Sequence, residues 1–167
     1  MLVLGIDPGS AITGFGLVRE IGNKLQAVDY GCIRTSSTLP PGIRLHTIYR
    51  EIKNLILQHR PDNFAVEELF FNKNVRTALT VAQARGVIML AGAEQGLTVH
   101  EYTPLQVKQA VVGYGRADKQ QIQFMVKTIL SLPEIPKPDD VADALAIAIC
   151  HIHYYKSALR IKDNGKN

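Results

Sequence analysis

Cysteine is scarce in this chain. Cys32 and Cys150 are the only two, each in an apolar setting and neither at metal-ligand spacing. The reading that follows is a reduced, cytoplasmic protein with both thiols in its core. Long apolar runs are missing too. Stretches such as Val87-Ile88-Met89-Leu90-Ala91 fall far short of the roughly 20 residues that a bilayer-crossing helix needs, so no membrane span is expected. No basic stretch precedes the first strand pattern, so no signal peptide is expected either. Repeats, low-complexity tracts and internal linkers are absent. What remains is an ordinary globular composition: 167 residues, 46% hydrophobic and 20% charged, which suits one domain with a real core. The formal net charge is +4.

The chain opens on Leu2-Val3-Leu4-Gly5-Ile6-Asp7, an apolar run of strand length ending in one carboxylate. Pro8-Gly9 follows, and Thr13-Gly14-Phe15-Gly16-Leu17-Val18 returns at once. This pattern predicts a β-hairpin whose first strand is central and buried. A bare carboxylate at the end of such a strand costs several kcal/mol unless a cation or hydrogen bonds compensate it. The competing reading is a turn-forming Asp before Pro-Gly.

Strands are expected over residues 2–7, about 13–20 and about 25–35, then a helix from Ile43 to His59 with Leu45, Ile48, Ile52, Leu55 and Ile56 at helical spacing. Phe64-Ala65-Val66 reads as a short buried strand running into Glu67-Glu68, the second such strand to end in acid. A helix over about Val75–Gln95, rich in small residues, precedes a fifth strand over Leu97–Tyr102. Three more helices follow, at about 104–112, Asp118–Leu130 and Asp140–Tyr155, with a polar, frayed tail over 156–167. Three antiparallel strands followed by βα units give an α/β fold, a five-stranded mixed sheet with helices on both faces.

Four acids stand out by position. Asp7 and Glu67 end strands; Asp140 and Asp143 open the last helix at i, i+3 and share a face. If the first and fourth strands are neighbours, all four reach one edge of the sheet. Carboxylates gathered there need divalent cations, and oxygen-only ligands favour Mg²⁺ or Mn²⁺. Two such ions can activate a water and stabilise the leaving oxygen of a phosphodiester. Each acid also has a purely local reading. Asp140 and Asp143 could cap the helix, and Glu67 and Glu68 could be surface residues. Setting the four aside leaves 11 acids against 19 Lys and Arg, a basic exterior suited to a polyanion. Lys73, Arg76 and Arg85 lie on or beside the long helix as candidates for a phosphate track. His100, His151 and His153 have no convincing metal spacing, because a His-x-His pair on a helix points to different faces.

The ordered segments GIDPGS (5–10), TGFG (13–16), GCIRT (31–35), FAVEELFFNKN (64–74), QARGV (83–87), VKQAVVGYG (107–115) and DVADALAIAI (140–149) closely resemble the RuvC family of Holliday-junction resolvases, within the ribonuclease H-like fold. The resemblance covers about residues 2–155, implying one nuclease domain over 1–155 followed by the tail. It implies a homodimeric, Mg²⁺-dependent endonuclease that cuts four-way DNA junctions by symmetric paired nicks and works beside a branch-migration motor. The family's catalytic acids fall on Asp7, Glu67, Asp140 and Asp143, with Glu68 and Asp139 as their immediate neighbours. The family's junction-centre aromatic falls on Phe70, and Lys108 and Lys119 match positions used for DNA contact near the active site. The small-residue helix is the candidate dimer face. Alternatives on the same fold are a non-catalytic nucleic-acid module and a ribonuclease. The hairpin also resembles the phosphate-binding hairpin of actin-like and sugar-kinase ATPases, but those need two such domains and this chain has room for one.

Overall fold

A computed structural model describes residues 1–69 and 75–164, with side chains from Thr77 onward in the second helix and as far as Ala158 in the last. Of the DNA-binding residues proposed from sequence, Phe70, Lys73 and the Arg76 side chain lie outside the described residues.

The strands are β1 (Leu2–Asp7), β2 (Ile12–Ile21), β3 (Lys24–Arg34), β4 (Asn63–Glu67) and β5 (Val99–Tyr102). The helices are α1 (Pro41–His59), α2 (Val75–Glu94), α3 (Pro104–Val112), α4 (Lys119–Ile129) and α5 (Asp139–Asn164). They form one sheet ordered β3-β2-β1-β4-β5, antiparallel across β3, β2 and β1 and parallel across β1, β4 and β5. This is the expected mixed sheet, with β1 and β4 side by side.

Each face of the sheet has its own core, and the two-residue period of the strands assigns residues to them. Leu2, Leu4 and Ile6 of β1 and Phe64 and Val66 of β4 pack with Ile48, Ile52 and Ile56 of α1 and with Ala84, Ile88 and Ala91 of α2. Val3 and Ala65 face the other way, into a core built from α3, α4 and α5. The helical spacing of Ile48, Ile52 and Ile56 is what turns one stripe of α1 onto the sheet.

Boundaries differ from the sequence reading in three informative places. Helix α1 begins at Pro41, not Ile43, because proline at the first helical position lacks an N–H that would go unpaired anyway. Strand β5 begins at Val99, not Leu97; Gly96 adopts a positive φ of 72° and the Leu97 N–H bonds the Gly92 carbonyl, so these residues close α2. Helix α5 continues past Tyr155 to Asn164, with no glycine or proline inside it.

Candidate active site

Strand alternation decides where the acids point. In β1, Leu4 and Ile6 face α1 and α2, so Gly5 and Asp7 face α5. In β4, Phe64 and Val66 face α1 and α2, so Ala65 and Glu67 face α5. The parallel register pairs Ile6 with Val66, which leaves Asp7 and Glu67 side by side at the carboxyl edge of two neighbouring core strands.

Glycine brings the third element in. Gly5 pairs with Gly16, and Asp7 with Gly14, across β1 and β2. A Cβ on Gly14 would come within 1.9 Å of the Asp140 carbonyl oxygen, and one on Gly5 within 2.3 Å of the Ala144 carbonyl oxygen. A Cβ on Gly16 would meet the Leu145 side chain at 2.7 Å. The bare backbone at these three positions therefore lets the start of α5 lie directly on the sheet beside Asp7. In the sequence these glycines stand out only as motif residues, and the fold gives them this role. The i, i+2 spacing of Gly14 and Gly16 carried the signal, since it marks one face of β2.

Asp7 feels the charges of the other three predicted acids. Burial pushes Asp7 up to about 8, and the charges of Glu67, Asp143 and Asp140 add to the shift while Lys119 opposes it. Glu67 is pushed up to about 7 by burial and by Asp143, against Lys108 and Lys119. Burial also raises Asp143, with Lys119 opposing and Asp140 and Asp139 reinforcing. Local capping does not account for such coupling. Helix α5 opens on a backbone bond, Val141 N–H to the Pro138 carbonyl at 3.0 Å.

Two lysines face the acids. An open cleft of about 210 Å³ is lined by Glu67, Pro104, Val107, Lys108, Lys119, Ile122 and Asp143. The Lys119 ammonium lies 3.0 Å from Asp139 and 3.4 Å from Asp143. Burial alone would lower its pKa, but hydrogen bonding and charge from these carboxylates leave it raised. Asp139 is exposed and also accepts from Gln123 at 3.1 Å, so its position suits holding Lys119. The Asp118 side chain and Gln121 form a capping box that starts α4 and fixes where Lys119 projects.

Arg85 takes a different place from the phosphate track considered for it. Its guanidinium donates to the Glu67 carbonyl at 3.3 Å and pairs with Glu101 of β5, so it braces the end of β4. The histidines are likewise occupied locally. Buried His151 bonds the Tyr102 hydroxyl at 2.9 Å, and His153 meets the Ala110 carbonyl at 3.0 Å on another side of α5. Cys32 and Cys150 are free thiols.

Could the acids hold a divalent cation? Among the described residues no three His, Cys, Asp or Glu groups close on a common point by themselves. Mg²⁺ seldom requires that, since it is usually bound by one or two carboxylates together with substrate phosphate oxygens. The donors are all hard oxygens, and their mutual repulsion is what a dication relieves. The residues fit such an ion.

Comparison with known proteins is decisive at this point. The family model described as crossover junction endodeoxyribonuclease RuvC matches residues 3–151. The chain belongs to the RuvC family. The crossover junction endodeoxyribonuclease RuvC of Pelotomaculum thermopropionicum is 62% identical over 162 residues, covering 97% of this chain and 99% of that one. A structure of Thermus thermophilus RuvC superposes with a TM-score of 0.88 at 38% identity, covering 95% of this chain and 97% of the other. T. thermophilus RuvC in complex with a Holliday junction substrate superposes at 0.87, with 36% identity and coverage of 94% and 96%. RuvC membership agrees with the fold, whose five strands and flanking helices follow the expected ribonuclease H-like plan.

Proposed function

We propose that this chain is a DNA endonuclease that resolves four-way junctions by symmetric paired nicks, leaving 5′-phosphate and 3′-hydroxyl ends. One observation carries the reading: Asp7, Glu67 and the Asp140–Asp143 pair, drawn from three distant stretches of sequence, couple electrostatically at one sheet edge, where Glu67 and Asp143 line a cleft that also holds Lys108 and Lys119. Membership of the RuvC family and the likeness to a RuvC bound to a Holliday junction support the substrate.

Asp7, Glu67, Asp140 and Asp143 are the residues that would hold two Mg²⁺ ions, with Mn²⁺ as a substitute. When bound, these ions supply an activated water and stabilisation of the leaving 3′ oxygen. The chain's own residues set the geometry. Asp7 and Glu67 are fixed by strand pairing, and Asp140 and Asp143 by the glycine floor beneath α5. Lys119 neutralises part of the acidic cluster, and Lys108 faces Glu67 across the cleft to meet substrate phosphate.

Symmetric nicking calls for two such sites. A two-fold dimer places them on strands of equal polarity, and α2 offers a face for it, exposing Leu79 and Leu90. No described helix is long and apolar enough to cross a membrane. We place the protein in the cytoplasm with recombination DNA, assisted by a branch-migration motor.

The test is cleavage of a synthetic four-way junction and of a linear duplex of the same sequence, with and without Mg²⁺, by wild type and Asp7→Asn. Paired nicks in the junction that require Mg²⁺ and fall about 10³-fold in the variant are expected, the scale of losing a preorganised charge-stabilising group. Tight junction binding with no cutting in Mg²⁺ or Mn²⁺ would convert the reading to a binding module.

A further inference from the structure

Arg44 is a cation whose partners are not acids. It lies in the first turn of α1, where Nη2 donates to the Ser10 carbonyl at 2.6 Å and Nε donates to Thr35 Oγ1 at 3.0 Å. The Thr35 hydroxyl donates to the same Ser10 carbonyl at 2.5 Å, and the Thr35 N–H to the Ala11 carbonyl at 3.0 Å. Buried Thr13 donates to the Gly9 carbonyl at 2.7 Å. Three separate segments thus hold the turn that leaves β1 directly after Asp7.

The turn does not need a charge to close it, because Thr13 and Thr35 already do so. Yet among the described residues Arg44 meets no carboxylate, and neither does exposed Arg34 beside Thr35 at the end of β3. The first turn of α1 contains no acid, so Arg44 stands against the helix dipole, an unfavourable place for a cation. Its two hydrogen bonds go to neutral oxygens and leave its charge unbalanced by any described anion, which is expected where a ligand supplies the balance. The remaining N–H donors of the guanidinium fork match a phosphate. Ser10 is three residues beyond Asp7, which is at most about 11 Å of chain.

We propose that Arg44 binds a backbone phosphate of the cut strand within a few nucleotides of the scissile bond, on the opposite face of the sheet from Lys108 and Lys119. The proposal rests on the nuclease reading above and extends the substrate track to a second side of the site.

The experiment is equilibrium binding of a fluorescent four-way junction by wild type, Arg44→Gln and Arg44→Lys. It is run in chelator, so that nothing is cut, between about 50 and about 200 mM salt. Glutamine keeps an N–H for the Ser10 carbonyl but carries no charge. Arg44→Gln should bind roughly tenfold more weakly, with a log–log salt slope smaller by about 1, and Arg44→Lys should recover the slope. A wild-type slope in Arg44→Gln overturns the proposal, as does lowered thermal stability with no change in slope. Junctions carrying one neutral methylphosphonate at successive positions from the cut give a second reading. One position should weaken wild type and leave Arg44→Gln unaffected; if none does, the proposal fails. If wild type binds junction and linear duplex alike, the junction reading falls while the slopes on duplex still decide Arg44. If it binds neither, both fall.

Discussion

Leu4 and Ile6 on one side of β1, and Gly5 and Asp7 on the other, alternate along a single strand but meet different demands. The first pair is fully buried against α1 and α2, in a core of aliphatic and aromatic side chains. The second pair faces α5, where one residue has no side chain and the other is a carboxylate whose charge the surroundings disfavour. Both sides of the sheet carry a core, since Val3 and Ala65 pack with α3, α4 and α5, but at the carboxyl end of β1 the α5 side gives up stability for chemistry. Packing density governs the first side. On the second, the close approach of α5 governs everything, because it is what brings Asp140 and Asp143 to Asp7.

Gly14→Ala is the sharpest way to separate the two sides. The new Cβ must displace the Asp140 carbonyl, 1.9 Å away, and with it the first turn of α5. A shift near 1 Å at a reacting centre costs about 10² in rate, so junction nicking should fall by about that factor while the α1 and α2 side remains intact. Quench-flow nicking rates, read together with the near-UV circular dichroism of the folded protein, check this. Wild-type rates in a folded Gly14→Ala protein would mean that α5 does not depend on the glycine floor.

Ile52→Ala addresses the other side. Ile52 is fully buried in the α1 stripe, and truncating such a residue costs about 2–5 kcal/mol. Urea unfolding should show that loss. Nicking turnover at a temperature where the variant is folded should match wild type, since Ile52 touches only the core behind the sheet. A changed turnover would break the division of labour.

That division explains what could be read from sequence. The unbroken apolar run of β1 and the helical spacing in α1 are local patterns that reach across only a few residues, so the strands, helices and aliphatic core could be read directly. The four acids were visible as strand ends and a helix start, and the family resemblance gave them roles, but their convergence depends on β1 pairing in parallel with β4 across more than fifty residues of intervening chain. Arg85 shows the limit of a reading based on charge. A cation on a helix is consistent with a phosphate track, and only the fold turns it toward the Glu67 carbonyl and Glu101. Arg44 is the converse case, since the contacts that hold it join Ser10, Thr35 and α1, which no short window contains.

The acidic side should also betray itself in stability, by a smaller effect that depends on pH. Without a bound dication, Asp7 holds its proton to about 8 and Glu67 to about 7, whereas in the unfolded chain both release it near the ordinary carboxylate values. Between those limits the native state binds more protons than the unfolded one, so stability must fall as pH rises. The contribution is intact near pH ~4 and has been lost once pH passes about 8, the opposite trend to that of a salt-bridged carboxylate. Asp7→Asn removes the larger share. In chelator its melting temperature should equal that of wild type at low pH and exceed it by several degrees near pH ~8, at about 2–4 °C per kcal/mol for a chain of this length. Added Mg²⁺ at the higher pH should raise the wild-type value and narrow the gap, because the ion binds the deprotonated acids that folding alone brings together. Thermal melts of both proteins across this range, with and without Mg²⁺, measure each part. Parallel curves for the two proteins would show that Asp7 does not strain the fold, and the contrast between the two sides of β1 would then be one of chemistry alone.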